Sequence, residues 1–179
     1  VQHAGLYLEG RIRTKSFPWV PKNESYAPDE MREVVKYAAK KKMDVIPVVS
    51  TLGHAEHFFH YSQLEGLAEL RDGEKGRFST MRHVFCPSKR ETYKFLEAYF
   101  TEVAEIFPSK YFHAGCDEAW DIGYCDLCRE RLKTETQSDI FAKHLVESHR
   151  IVTKKLGKRM IIWDDLFENY PDALAKVPR

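Results

Sequence analysis

The sequence predicts an α/β fold made of about four consecutive β/α units with parallel strands. Four short apolar runs, at residues 6–8, 45–49, 106–114 and 160–163, alternate with stretches in which apolar residues recur at helical spacing. Continuous apolar runs are typical of parallel strands that are buried on both faces. Each run also ends in polar or ionisable residues, so one edge of the sheet would collect these side chains.

The first unit joins the run that ends at Glu9 to a helix that begins near Pro28. Proline at an early helical position, followed by Asp29 and Glu30, is typical of a helix N-terminus. Three lysines at 40–42 close the helix, where the helix dipole favours positive charge. These signals predict a helix between the first two strands.

The second apolar run is rich in β-branched residues, and its tip continues to His54. A segment over 56–70 is expected to be partly helical, and a charged loop follows it. The next helix is expected to begin with Ser88 as its N-cap and to extend to about residue 107. Glu91, three residues after Ser88, would complete a capping box there.

The third apolar run leads directly into Gly115, Cys116, Asp117 and Glu118. Adjacent carboxylates repel, which separates their pKa values and lets one of them stay protonated near neutrality. Since buried acids usually have a partner or a task, this pair at a strand end predicts a catalytic rim. Neighbouring strand residues point to opposite faces, so we expect regular pleating to about Cys116 and a break near Glu118.

The last part of the chain repeats the pattern. An amphipathic helix is expected over 138–156 and ends at Gly157. The fourth apolar run is followed by Asp164 and Asp165, and a short helix is expected over 171–175.

Polar residues at four strand ends favour a partial (β/α)8 TIM barrel, in which functional groups lie at the C-terminal ends of the strands. Those ends supply Glu9, His54, Asp117, Glu118, Trp163 and Asp164. Because a complete barrel needs about 250 residues, residues 1–179 are interpreted as one domain, roughly strands 2 to 5 of a barrel. A doubly wound sheet is the alternative, but no glycine-rich phosphate loop follows the first strand.

Composition limits the partners. The net charge of +1 offers no case for binding nucleic acid or an anionic membrane, and no apolar run approaches the ~20 residues of a membrane helix. Four cysteines are too few for a disulfide scaffold; they lean toward the cytoplasm but leave the compartment open. The abrupt ends at Val1 and Arg179 suggest a piece of a longer protein. Its open sheet edges would contact the rest of a barrel or a second copy.

Three segments carry a resemblance to a known family. Residues 113–118, His-Ala-Gly-Cys-Asp-Glu, resemble the His-x-Gly-(Gly/Cys)-Asp-Glu motif of glycoside hydrolase family 20, the β-N-acetylhexosaminidases. Residues 45–54 are similar to that family's third strand with the Gly-His at its tip, and residues 161–164 are similar to its fifth strand. Cys116 and the C-x-x-C at 125–128 are similar to the branch that contains hexosaminidase D.

The resemblance implies a retaining glycosidase that removes terminal β-linked N-acetylglucosamine or N-acetylgalactosamine from glycans without a cofactor. The substrate's own 2-acetamido oxygen would attack the anomeric carbon and form an oxazolinium ion. Glu118 would act first as general acid and then as general base. Asp117 would accept a hydrogen bond from the acetamido N–H and stabilise the developing positive charge.

Further site residues follow from the same resemblance. His54 is expected near the sugar or beside the acid pair, and Trp163 is expected to form one wall of the acetamido pocket. Glu9, Asp164 and His113 are substrate-binding candidates, although His113 is better explained as an interior histidine that holds its neighbours. The family's sugar-binding arginine and the residues of its last strands have no counterpart here, so we expect the chain alone to be inactive.

Other interpretations stay open. A non-catalytic β/α module could bind carbohydrate or serve assembly, and a metal-dependent barrel hydrolase could use the acid pair and histidines as ligands. Cys125 and Cys128, with Cys116 or Cys86, could hold a structural zinc ion. A single C-x-x-C, however, lacks the second pair that marks such sites.

Overall fold

The computed structural model describes residues 2–178, and they form a four-stranded parallel sheet. Its strands lie side by side in chain order: β1 (Gln2–Tyr7), β2 (Met43–Val48), β3 (Tyr111–His113) and β4 (Arg159–Ile161). Each strand pairs in parallel with the next, so each connection must cross over from one end of the sheet to the other. The prediction of an α/β fold made of consecutive β/α units is confirmed.

Helices occupy the crossovers. They are α1 (Pro28–Lys40) before β2, α2 (Glu56–Phe59), α3 (Ser62–Glu65) and α4 (Arg90–Ile106) before β3, α5 (Asp126–Arg131) and α6 (Gln137–His149) before β4, and α7 (Leu166–Asn169) after it. A π-helical turn, Arg150–Lys155, continues α6, and 3-10 helices cover Lys22–Glu24 and Pro171–Lys176. Within residues 2–178, every helix is too short or too polar to span a lipid bilayer.

Helix α1, which follows β1, and helix α6, which follows β3, both begin with capping interactions. At α1, the Glu30 carboxylate accepts the backbone N–H of Ala27 at 2.6 Å. At α6, the Thr136 hydroxyl accepts the N–H of Asp139 at 3.1 Å, and the Asp139 carboxylate accepts the N–H of Thr136 at 2.8 Å. These bonds, which are reciprocal at α6, satisfy backbone N–H groups that have no partner at the start of a helix.

Two buried clusters hold the sheet and helices together. The first packs α1 and α4 against the sheet, and its aromatic residues include Phe17, Phe58, Tyr99, Phe100 and Phe112. The second lies beneath the segment that follows β3 and includes Leu52, Cys116, Ile122, Cys128 and Phe141. Because packed interiors resist small displacements, this second cluster fixes the segment after β3 against α6.

The predicted N-cap at Ser88 was wrong. Helix α4 begins two residues later, after Lys89, and no side chain caps it. The Ser88 hydroxyl lies 2.9 Å from Cys128 Sγ and accepts a 2.9 Å hydrogen bond from Arg131 Nη1. Tertiary partners therefore outcompete the local cap that the sequence offers.

The third strand is shorter than predicted. Ile106 is the last residue of α4, and β3 covers only three residues. The pleat ends at His113 rather than near Cys116, because the backbone turns left-handed at Gly115 (φ +61°) and Cys116 (φ +74°). The predicted last helix is likewise a 3-10 helix rather than an α-helix.

Candidate active site

The last residues of the four strands lie in one row across the sheet. Tyr7 pairs with Val48, Val48 pairs with His113, and His113 pairs with Ile161. The segments that leave these strands therefore begin at the same edge, which is where parallel α/β proteins build their sites. This row explains how residues more than 100 positions apart in the chain, such as Tyr7 and Trp163, become neighbours.

A tight turn follows β3. Gly115 adopts φ +61°, and a Cβ atom there would lie 3.0 Å from the Val49 carbonyl oxygen and 3.2 Å from Ser50 Cα. Cys116, at φ +74°, is fully buried, and its thiol lies 3.0 Å from Thr51 Oγ1. Left-handed conformations are uncommon for residues other than glycine, so the packing of the segment after β2 against this turn must hold it.

The turn places both acids on one side of the sheet edge. The strand alternation that sends neighbouring side chains to opposite faces no longer applies here, because β3 ends at His113 and Glu118 has φ +47°. The His54 Nε2 atom lies 3.5 Å from Asp117 Oδ2 and 3.3 Å from Glu118 Oε2. The structure thus brings together three of the residues that the sequence singled out.

The two acids have different surroundings. The Asp117 side chain is 19% exposed and the Glu118 side chain is 58% exposed. Burial raises the pKa of Asp117 above its ordinary value, and the neighbouring His54 ring partly offsets that rise. One carboxylate is therefore enclosed by protein, and the other is accessible to a ligand or to water.

Asp165 supports the turn from the segment after β4. Its Oδ2 accepts the backbone N–H of Glu118 at 3.0 Å, and its Oδ1 is buried without a hydrogen-bond partner among the described residues. Asp164, the residue that we had predicted, is exposed, and its carbonyl accepts the N–H of Phe167. The sequence indicated that an acid follows β4, because Asp164 and Asp165 are adjacent there. Nothing in the sequence indicated which of the two contacts the acid turn.

An aromatic wall stands next to the acids. The Trp163 ring stacks on the Tyr7 ring, with centres 6.2 Å apart and planes 13° apart, and the His113 ring centre is 4.6 Å from that of Trp163. Tyr7 is 50% exposed and Trp163 is 39% exposed, so both rings present surface to a ligand. Sequence reasoning missed Tyr7, whose only signal was its place at the end of the first apolar run.

His113 and Glu9 occupy different environments. His113 is buried, and its Nδ1 accepts the backbone N–H of Gly115 at 3.0 Å. Burial lowers the pKa of His113, which keeps the ring neutral. Glu9 is half exposed in the segment after β1, and its carboxylate lies 4.0 Å from Arg11 Nε. The hydrogen bond to Gly115 fits a structural role for His113. Glu9, in contrast, lies beside the Arg11 guanidinium.

An open cleft of about 400 Å³ lies beside Glu118. Its other walls include His54, Phe78, Met81 and Trp120. The Phe78 side chain is 68% exposed and that of Met81 is 52% exposed. A carboxylate beside exposed apolar and aromatic side chains can bind a ligand that has both apolar faces and polar groups.

One group of side chains within residues 2–178 could hold a metal ion, and it does not include the acid pair. It consists of Glu69, Cys86, Cys125 and Cys128, all of them buried. The sequence left open whether Cys116 or Cys86 would join Cys125 and Cys128; the group contains Cys86 and not Cys116. The left-handed backbone of Cys116 directs its thiol to Thr51, and burial raises the pKa of that thiol to about 12.

Comparisons with known proteins agree with this geometry. The family model for "Glycosyl hydrolase family 20, catalytic domain" matches residues 2–177. Hexosaminidase D of Bos taurus is 30% identical over 154 residues, which cover 83% of this chain and 42% of that protein. A β-hexosaminidase of Porphyromonas gingivalis is 32% identical over 155 residues, covering 80% of this chain and 19% of that protein.

The fold is also similar to solved structures. A crystal structure of β-N-acetylhexosaminidase from Bacteroides fragilis superposes with a TM-score of 0.71 at 25% sequence identity, covering 92% of this chain and 36% of that one. The chain thus spans less than half the length of each of these relatives. With its four parallel β/α units, the chain belongs to glycoside hydrolase family 20 and forms part of that family's TIM-barrel catalytic domain.

Proposed function

We propose that the full-length protein removes terminal β-linked N-acetylglucosamine or N-acetylgalactosamine from glycans, with retention of configuration. Family membership supports a glycosidase reaction, and the hexosaminidase names of the relatives support this class of substrate. The observation that carries the proposal is the position of Asp117 and Glu118 on one side of the sheet edge, with His54 in contact with both.

The first step forms a bond within the substrate. The acetamido carbonyl oxygen attacks the anomeric carbon, the bond from that carbon to the leaving oxygen breaks, and Glu118 donates its proton to the departing group. The enclosed carboxylate of Asp117 accepts a hydrogen bond from the acetamido N–H and stabilises the positive charge of the oxazolinium ion. Because the substrate supplies the nucleophile, this step needs no cofactor.

The second step restores both the acetamido group and the enzyme. Glu118, now ionised, removes a proton from a water molecule as the water oxygen attacks the anomeric carbon. The ring bond to the acetamido oxygen breaks, so two inversions give net retention. The greater exposure of Glu118 supports this role, since both the leaving group and the water must reach it.

The neighbouring residues fit supporting roles. His54 would orient the two carboxylates and lie beside the sugar, and Trp163 would pack against the acetamido methyl group. Tyr7 would extend that wall, because its ring stacks on Trp163. His113 would hold the turn through Gly115, while Glu9 and Asp164 would contact the substrate from the rim.

We infer that β1 to β4 are roughly the second to fifth strands of the barrel and that residues 1–179 form one partial domain. The residues that would close the sugar pocket on its other sides then belong to strands outside the chain. We therefore expect residues 1–179 alone to be inactive, and hydrolysis by this segment alone would contradict that inference. The edges at β1 and β4 would contact the remaining strands or another copy of the chain.

The test replaces Glu118 by Gln in the full-length protein and measures hydrolysis of N-acetylglucosaminide substrates. Loss of a general acid is expected to lower kcat by about 10²- to 10⁴-fold. The loss should be greater for a sugar leaving group than for p-nitrophenolate, which departs without protonation. Glu33→Gln is the matched control, because Glu33 is an exposed residue of α1 that pairs with Lys36 at 3.6 Å.

A second measurement tests the source of the nucleophile. Replacing acetamido hydrogens of the substrate by fluorine makes the carbonyl oxygen less nucleophilic, so the rate should fall with each fluorine. A hydrolysis rate that does not change with the number of fluorine atoms would contradict substrate-assisted catalysis. Equal, non-zero turnover by Glu118→Gln and the wild type would contradict the role given to Glu118. Glycan binding without turnover in both proteins would favour the alternative function, a non-catalytic module that binds carbohydrate or serves assembly.

A further inference from the structure

Three thiols and one carboxylate that are not part of the acid pair meet in the interior. The ligand atoms of Glu69, Cys86, Cys125 and Cys128 all lie within 4.8 Å of one another. Cys86 Sγ is 3.0 Å from Cys125 Sγ and 3.8 Å from Cys128 Sγ, and Cys128 Sγ is 2.8 Å from Glu69 Oε1. These side chains come from three separate segments, so the fold rather than local sequence assembles them.

The local geometry around the C-x-x-C resembles a metal-binding turn. The backbone N–H of Cys128 donates to Cys125 Sγ at 3.3 Å, and the N–H of Cys125 donates to Glu69 Oε2 at 2.7 Å. The Ser88 hydroxyl lies 2.9 Å from Cys128 Sγ and is itself held by Arg131. Hydrogen bonds of this kind orient ligands and are typical of the second layer around a metal ion.

The buried Glu69 carboxylate accepts no described hydrogen bond from a positively charged group. Glu69 and Cys86 have no exposed surface. The described hydrogen-bond donors to Glu69 are a neutral backbone amide and a thiol, and neither carries a positive charge. An isolated carboxylate is unfavourable in a protein interior, whereas one that coordinates a metal is stable there. A divalent cation between the four side chains would supply the missing charge.

We propose that Glu69, Cys86, Cys125 and Cys128 bind one zinc ion as a structural site. Thiolate ligands favour soft or borderline ions such as zinc, and four protein ligands leave no position open for a substrate. Tetrahedral zinc–sulfur bonds of about 2.3 Å place sulfur atoms roughly 3.8 Å apart. The Cys86–Cys128 separation of 3.8 Å matches this value, and the Cys86–Cys125 pair would need to move apart by less than 1 Å.

The zinc ion would brace the segment that carries the acids. Cys125 lies seven positions after Glu118 in the chain, and Cys116, Ile122, Cys125 and Cys128 share the second buried cluster. Glu69 and Cys86 come from the crossover between β2 and β3. One ion would therefore join that crossover to the segment that follows the acid turn.

The experiment measures metal in the full-length protein purified under reducing conditions. Zinc content is determined by mass spectrometry for the wild type and for Cys86→Ser, Cys128→Ser and Glu69→Gln. Cys116→Ser is the matched control, because Cys116 is also a fully buried free thiol but lies outside the cluster. Independently, Co²⁺ is added to metal-free wild-type protein and its absorption spectrum is recorded.

We expect about one zinc per chain in the wild type and in Cys116→Ser, and a zinc content at least tenfold lower in the three ligand variants. Cobalt should give thiolate-to-metal charge-transfer absorption and the visible bands of a tetrahedral ion. If the ligand variants do not fold, the cobalt spectra of the wild type and Cys116→Ser still decide the question. Wild-type protein that takes up neither ion, or that forms a disulfide among these cysteines, would overturn the proposal. Neither readout depends on glycosidase activity.

Discussion

A Cβ atom on Gly53 would lie 1.9 Å from the backbone carbonyl oxygen of Asp117. The same atom would also lie 2.9 Å from the Ala119 nitrogen, so it would meet backbone on both sides of Glu118. Backbone atoms cannot move aside as a flexible side chain can. The contact between the segment after β2 and the acid turn therefore depends on the absence of a side chain at position 53, and this contact also delivers His54 to the two carboxylates.

Replacing Gly53 by Ala is expected to displace the acid turn. Forcing an extra carbon into a packed site destabilises proteins by about 1–3 kcal/mol, and a shift of about 1 Å at a catalytic group can lower the rate by about 10²-fold. We expect both losses in the full-length protein, measured by denaturant unfolding and by N-acetylglucosaminide hydrolysis. Gly66→Ala is the control, because Gly66 has helical φ (−62°) and nothing lies within 4 Å of its added Cβ. Equal effects of the two substitutions would contradict the steric explanation.

Asp165 offers a separate test of how the turn is held. Its Oδ2 accepts the backbone N–H of Glu118 at 3.0 Å, so Asp165→Ala leaves that donor unpaired and frees the turn. We expect kcat to fall by about 10- to 100-fold. Asp165→Asn keeps a carbonyl oxygen as acceptor and should retain most of the activity.

The pH profile separates this positioning role from a purely structural one. The negative charge of Asp165 is one of the causes that raise the pKa of Asp117. Both substitutions remove this charge, so both should lower the pKa of Asp117 and extend activity to lower pH. If the acidic limb of the pH–activity profile does not shift in either variant, or if both variants lose kcat equally, the positioning role of Asp165 is contradicted.

The parallel sheet could be predicted because apolar runs and helix signals are local properties of the sequence. The site was partly predictable for the same reason: His54, the acid pair and Trp163 each follow an apolar run, and parallel strands bring such positions to one edge. Their roles stay predictions until the substitutions are made.

Two features could not be predicted from the sequence: the direction in which the chain leaves each strand, and side-chain contacts between residues far apart in the chain. The choice between Asp164 and Asp165 depends on how the chain leaves β4, which no residue pattern records. Ser88 matched a capping box, but its hydroxyl contacts Cys128, 40 positions away. Glu69 joins the cysteines in the same way, since it lies 59 positions from Cys128 in the chain. Contacts of this kind depend on the completed fold.

A buried histidine beneath the acid turn should make folding stability depend on pH. His144 Nε2 lies 3.3 Å from Thr51 Oγ1, and its Nδ1 lies 3.2 Å from the Tyr93 hydroxyl. The ring is fully buried, and burial lowers the pKa of His144 to about 3. In the unfolded chain a histidine has a pKa of about 6.5. Between these two values the unfolded chain binds one more proton than the folded chain, so the free energy of unfolding falls as the pH is lowered from about 6.5 toward about 3.

This contribution amounts to about 1.4 kcal/mol per pH unit within that window, and His144→Gln should remove it. We expect the free energy of unfolding of the wild type to fall more steeply than that of the variant between pH 6 and pH 4, because the unfolded wild-type chain binds about one more proton at this site than the folded chain does. Other groups that titrate in this range, such as His113 and the carboxylates, are present in both proteins, so they cancel when the two slopes are subtracted. His60→Gln, which replaces an exposed histidine, is the matched control. Parallel curves for the wild type and His144→Gln would mean that the buried ring takes up its proton without unfolding the chain.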